Sequence, residues 1–158
     1  MLLDYDTIIL DLDFTIWTGC KPAFWAKLLE PPYKIDGYRF YGAGNTYIEL
    51  HSGIQDVLKI LYENKKNIGF ASRGALNDIP WMSQPSIMAL NEFKIHYYFN
   101  YQKILVFKTV DKIPFLKPLG KTIYIDDNED ELKRVISMHG DKIDVINRNT
   151  FNNWRSIL

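Results

Sequence analysis

The chain has 158 residues, 47% of them apolar and 24% charged, which is the size and composition of one globular domain with a sizeable core. Its 19 basic side chains balance 19 acidic ones, so no basic excess points to nucleic acid or to an anionic membrane surface as partner. No apolar run approaches the roughly 20 residues of a membrane span. The first six residues carry two acids and no basic stretch, unlike a signal peptide, and the lone Cys20 cannot close an internal disulfide, so a cytoplasmic protein is expected.

Taken in chain order, Thr7–Leu10 is a short β-branched run that reads as a fully buried strand ending at Asp11. Residues 17–41 are irregular, broken by Pro22, Pro31, Pro32 and Gly37. Residues 38–41 and 46–50 flank Gly42-Ala43-Gly44-Asn45, which predicts a β-hairpin with a glycine-rich turn. Ile54, Val57, Leu58 and Leu61 recur at the helical period within residues 53–64. Residues 67–71 form a second apolar run, ending at Ser72-Arg73-Gly74, and a helix is expected within residues 85–93. A third run, 104–107, ends at Lys108, with a short helix expected between residues 109 and 119. Residues 122–125 form a fourth, ending at Asp126-Asp127. Residues 129–138 read as a helix with Leu132, Val135 and Ile136 on one face, and residues 142–146 as a last strand.

Strands alternating with helices predict an α/β fold: a three-layer, Rossmann-like, mostly parallel sheet with helices on both faces. A small cap insert, the hairpin, follows the first strand at about residues 17–52. Such sheets bind ligands beyond the carboxyl ends of their strands. Here those ends carry Asp11 and Asp13, Ser72, Lys108, and Asp126 with Asp127.

These groups suit phosphate chemistry. Asp11 is the candidate nucleophile, forming an aspartyl-phosphate, and Asp13 the candidate acid and base beside the leaving oxygen. Thr15 can hold the turn by bonding backbone or carboxylate groups. Crowded carboxylates call for a hard cation, and Mg²⁺ takes oxygen ligands from one or two carboxylates, water and phosphate. Asp11 and Asp127 are the candidate carboxylate ligands, with the Asp13 carbonyl a third ligand. Ser72, the Arg73 amide and Lys108 are candidate donors to phosphate oxygens, and Lys108 could also orient Asp11 or Asp126. Lys103 and Lys112 are rivals for the lysine role.

Each residue also has a plainer use. Asp at a strand end serves turns, Ser72 could cap a helix, and the acidic run after Ile125 could be a helix start favoured by the helix dipole. It is the order of the elements that points to chemistry.

Asp11-Leu12-Asp13-Phe14-Thr15-Ile16-Trp17 resembles the first motif of the haloacid dehalogenase superfamily of phosphatases, and Trp17 points to its branch called magnesium-dependent phosphatase type one. Glu30-Pro31-Pro32-Tyr33, Ile48-Glu49-Leu50, Ala71-Ser72-Arg73 and Ile125-Asp126-Asp127 resemble that branch's later segments, over about residues 4 to 146. The resemblance implies the same roles for Asp11, Asp13, Ser72 and Asp127, with Asp126 supporting the lysine. The sequence departs from the pattern at Gly74, in residues 75–85, at Val106-Phe107 before Lys108, and at Glu131, which stands near the metal's water shell.

The short cap implies an open site, which would admit a sugar phosphate or a phosphorylated side chain of a protein. Trp17, Trp25 and Tyr33 are candidates for an aromatic substrate wall, or else pack the cap on the core. The expected activity is phosphomonoester hydrolysis. The alternatives are a non-catalytic phosphate-binding or interaction module, and a phosphoryl-accepting receiver domain, which the Asp-x-Asp-x-Thr arrangement does not suit.

Overall fold

The computed structural model describes residues 1–19 and 29–158. Along the chain run β1 (Thr7–Leu10), β2 (Trp17–Gly19), β3 (Lys34–Asp36), β4 (Arg39–Tyr41), β5 (Tyr47–Leu50), α1 (Ile54–Glu63) and β6 (Asn67–Ala75). They are followed by α2 (Pro85–Glu92), β7 (Lys103–Phe107), β8 (Thr122–Asp126), α3 (Glu129–His139) and β9 (Ile143–Asn147).

Five strands form a parallel sheet in the order β7-β6-β1-β8-β9. Its inner strands read as unbroken apolar runs because both faces are buried. Ile8, Leu10, Ile68, Phe70, Ile123 and Ile125 face one core, with Ile54, Val57, Leu58 and Leu61 of α1 and Ile87 and Leu90 of α2. Ile9, Ala71 and Tyr124 face a second core, with Ile113, Leu116, and Leu132 and Val135 of α3. Burying each such side chain contributes about 1.5–3 kcal/mol. The periodicity of α3 predicts Ile136 inward, but it is exposed; Leu132 and Val135, one turn apart, form the apolar part of the buried stripe.

The sheet order fixes where a site can lie. From β1 the chain moves one way to β6 and β7, then crosses to the other side for β8 and β9. The order reverses between β1 and β8, so a crevice opens beyond their carboxyl ends. Asp11 and Asp126 stand at that point.

Two differences from the expected elements matter. The hairpin is present as β4 and β5, but β2 and β3 pair with it to make a four-stranded antiparallel sheet, β2-β5-β4-β3. Its Trp17, Phe40, Ile48 and Leu50 join the first core, with the Trp17 and Phe40 rings 6.4 and 6.3 Å from Phe93. In place of a helix over residues 109–119 there is one 3-10 turn, Ile113–Phe115. Pro114 and Pro118 remove the backbone donors a longer helix needs.

Among the described residues, no helix is long and apolar enough to cross a membrane.

Candidate active site

β1 and β8 run side by side, and the Asp11 N–H donates to the Ile125 carbonyl at 2.9 Å. That bond carries the ladder one residue past the strand and pins Asp11 next to Asp126. The turn that follows is tight, with Phe14 at φ 63°, a conformation that an L-residue holds only when its surroundings enforce it. Here the surroundings are specific. The His51 ring Nε2 lies 3.2 Å from the Phe14 carbonyl, and burial lowers its pKa, so a neutral ring donates there. The buried Arg148 donates through Nε to the Thr15 carbonyl at 3.2 Å.

Inside the turn, Thr15 is wholly buried and ties two strand ends together. Its Oγ1 accepts from the Asp127 N–H at 3.2 Å and lies 3.4 Å from carboxylate oxygens of both Asp11 and Asp127. Its expected role of holding this turn matches those contacts.

The lysine facing Asp11 is Lys112. Its Nζ donates to Asp11 Oδ1 at 2.5 Å and Asp126 Oδ2 at 2.9 Å, and it is buried. This corrects the assignment of that role to Lys108, which lines the same pocket but is exposed at its rim. The 3-10 turn is the reason: Lys112 sits at its N-terminal cap, where the chain turns back over the sheet toward Asp11. Asp126 is fully engaged, as Tyr124 donates to Oδ2 at 2.6 Å and the Asn128 N–H to Oδ1 at 2.9 Å.

Burial pushes the Asp11 carboxyl well up, against the pull of Lys112. Burial alone would lower the Lys112 ammonium, yet the Asp11 and Asp126 carboxylates hold it above its ordinary value. Burial and the nearby Asp126 charge push Asp127 up to about 6. The site therefore packs more negative charge than one ammonium balances.

Ligand oxygens of Asp11, Asp126 and Asp127 lie within 4.8 Å of one another, close enough to hold a metal ion. The donors are all hard oxygens, which suits a cation such as Mg²⁺. With Asp126 committed to three donors, Asp11 and Asp127 are the carboxylates with capacity to spare. Both expected carboxylates, Asp11 and Asp127, lie in this cluster, together with Asp126. The Asp13 side chain is not in this cluster, because its Oδ1 accepts a 2.8 Å bond from the Trp17 indole Nε1.

Ser72 and Arg73 reach the site on β6, which runs on to Ala75 instead of ending at Ala71. Between Ser72 and Ala75 its register against β7 slips by one residue, a bulge that re-aims Arg73 and Gly74. An added Cβ at Gly74 would stand 2.8 Å from Ser86 Oγ, so the serine hydroxyl would have to turn away to admit it. Ser72 is buried and, with Arg73, lines the pocket. The Arg73 guanidinium pairs with the buried Glu131 of α3. Glu131 thus anchors Arg73, and it lines the same pocket as Asp11 and Asp127. Asn128 caps α3, its Oδ1 accepting from the Asp130 and Glu131 amides, so the end of the acidic run is also a helix start.

Of the two uses expected for these aromatic residues, Trp17 and Tyr33 show the second, packing on the core. Trp17 is 0% exposed, buried by the antiparallel sheet, and so cannot face a substrate. Tyr33 packs on Phe40 at 5.3 Å and is not among the pocket's lining residues. Trp25 lies outside the described residues. Among the described residues, the aromatic that lines the pocket is Phe14. The cavity holds about 330 Å³, enough for a phosphate and a small leaving group.

No protein-family model matches the chain. Nor does any curated protein match it significantly.

Proposed function

We propose that this protein is a magnesium-dependent phosphomonoester hydrolase working through an aspartyl-phosphate on Asp11, on a three-layer, Rossmann-like frame of the haloacid dehalogenase kind. The observation that carries the reading is Asp11 itself. It is a buried carboxylate at the sheet's switch point, 2.5 Å from a buried ammonium, with Asp127 within metal-sharing distance. A structural carboxylate gains little from such a setting, since burying charges is costly even when they are paired. A nucleophile that must receive a dianion gains a great deal.

Asp11 attacks phosphorus, and the bond to the ester oxygen breaks with its electron pair going to that oxygen. Asp13 supplies the proton the leaving oxygen needs. Water then attacks the aspartyl-phosphate and gives a proton to Asp13, releasing phosphate and the free Asp11 carboxylate. Lys112 and Ser72 line the pocket and would donate to phosphoryl oxygens, and pre-positioned donors of this kind are worth about 3–4 kcal/mol each to a transition state. Mg²⁺ held by Asp11, Asp127 and the Asp13 carbonyl would offset the charge shared by nucleophile and phosphate. The open cavity suits a sugar phosphate, an aryl phosphate or a phosphorylated protein side chain. A cytoplasmic setting suits a single unpaired thiol.

Purified protein should hydrolyse p-nitrophenyl phosphate with Mg²⁺ and lose that activity on chelation. Asp11→Asn should fold and show no turnover. Full activity in that variant would end the proposal.

A further inference from the structure

The buried indole of Trp17 needs a partner for its N–H, and the partner it takes is a residue of the site. Trp17 opens β2, pairs with Leu50 across the antiparallel sheet, and is 0% exposed. From there its Nε1–H donates to Asp13 Oδ1 at 2.8 Å. A second link joins the same two residues, as the Asp13 and Trp17 backbones form an isolated bridge. The side chain assigned as acid and base is thus tied to the antiparallel sheet.

An indole N–H donates and never accepts. An oxygen that faces such a donor hydrogen cannot itself carry the acid proton toward it. The carbonyl oxygen of a carboxylic acid is its better acceptor, so facing the indole favours a protonated Asp13 with Oδ1 bare and the proton on Oδ2. That oxygen points toward Gly74, where an added Cβ would stand 3.7 Å from it. Gly74 follows Ser72 and Arg73, which line the pocket with Asp13.

We propose that Trp17 is a positioning residue for the reaction. Its indole N–H fixes the Asp13 carboxyl so that Oδ2 gives the proton to the departing ester oxygen and later takes one from the attacking water. This rests on the phosphatase reading above. The step is balanced: the phosphorus–oxygen bond pair goes to the leaving oxygen, Oδ2–H supplies its proton, and water restores that proton on hydrolysis of the aspartyl-phosphate.

The test separates leaving groups. Phenol has a pKa of about 10, like tyrosine, and its ester needs protonation; p-nitrophenolate is far more acidic and leaves nearly unaided. Trp17→Phe keeps an aromatic ring and loses the donor. Trp17→3-benzothienylalanine keeps the full bicyclic shape and replaces only the N–H by sulfur. In both, release of phenol from phenyl phosphate should fall about 10–100-fold, a share of the 10²–10⁴ typical of general acid catalysis. The first-turnover burst of p-nitrophenol should stay within about threefold of wild type. Phosphoenzyme should then accumulate, because water attack also uses Oδ2.

Equal losses in the two first-turnover rates, or no loss in either, overturn the role of Trp17 while leaving the phosphatase reading standing. A wild-type protein inactive on both esters overturns the phosphatase reading and this one with it. Independently of activity and of either variant's folding, the Trp17 indole N–H resonance of the wild-type protein should move on Asp13→Ala. An unmoved resonance overturns the contact.

Discussion

The Lys112–Asp126 and Arg39–Glu49 ion pairs have the same N···O distance, 2.9 Å, and lie in regions with different tasks. Lys112 closes the carboxyl end of the parallel sheet with both partners buried, and it serves two carboxylates at once. Arg39 and Glu49 face each other across β4 and β5 of the antiparallel sheet, with side chains 43% and 39% exposed. In water, an exposed pair gains little because solvent already stabilises each charge. At the buried end, each charge has surrendered its hydration and depends on its partner. The difference teaches where this fold spends stability: charge is concentrated and buried at the carboxyl end of the parallel sheet, while in the antiparallel sheet it lies where solvent already stabilises it.

The largest break in that comparison is Lys112→Ala. It leaves Asp11 and Asp126 buried without their cation, which should destabilise the fold by about 3–5 kcal/mol. Denaturant unfolding measures that loss. The same variant should lower kcat for p-nitrophenyl phosphate by 10²-fold or more, as removal of a transition-state donor does. Lys108→Ala, at the exposed rim of the same pocket, should leave stability unchanged and raise KM by less than about tenfold, as a screened surface charge would. If Lys108→Ala proves the more damaging of the two, the lysine assignment reverses.

Asp127 sharpens the comparison from the other side. Its carboxyl is held at about 6, above the roughly 3.9 of an unfolded chain. The folded state therefore binds more protons between those values, and the metal-free protein loses stability as pH rises from about 4 to about 6. Asp127→Asn removes a half-buried charge and should stabilise the metal-free protein at pH 7 by about 1–2 kcal/mol, allowing for solvent screening. With Mg²⁺ at 100 times its Kd, wild type should gain about 2.7 kcal/mol and overtake the variant. Because Asp127 must be ionised to hold the cation, Mg²⁺ affinity should also fall below about pH 6. Thermal melts with and without Mg²⁺ across pH 5–8 test all three, and a variant less stable than wild type without metal contradicts the reading.

What the sequence disclosed follows the same division. Thr7–Leu10 and the run before Asp126 are unbroken apolar strands, so a carboxylate straight after them had to sit at a sheet end. The α3 cap and the hairpin were legible for similar local reasons. Lys112 was not, because it lies in a stretch where Pro114, Pro118 and Gly120 abolish any period that would say which side chain turns inward. Trp17 had two uses open to it, substrate wall or core, and only the pairing of β2 with β5 reveals that the ring is core. Arg73 was named as a phosphate donor, but its partner Glu131 is 58 residues away and joined to it only by the fold. The contacts that assemble the site from distant segments are the ones sequence patterns do not encode.

The smallest expected effect falls on the antiparallel sheet. Arg39 Nε meets Glu49 Oε2 at 2.9 Å, and its guanidinium lies 4.4 Å from the centre of the Tyr47 ring. The arrangement has good geometry and a cross-strand partner in register. Yet both side chains are open to solvent, so breaking the pair exposes no uncompensated charge. Arg39→Ala should leave the denaturation midpoint within experimental scatter and leave kcat and KM on p-nitrophenyl phosphate unchanged, at low salt as at high. The sheet's hold on the site runs through the buried Trp17, not through its surface charges. A loss of activity in Arg39→Ala would show that the outer strands of this sheet also shape the site, and would erase the contrast between its two ion pairs.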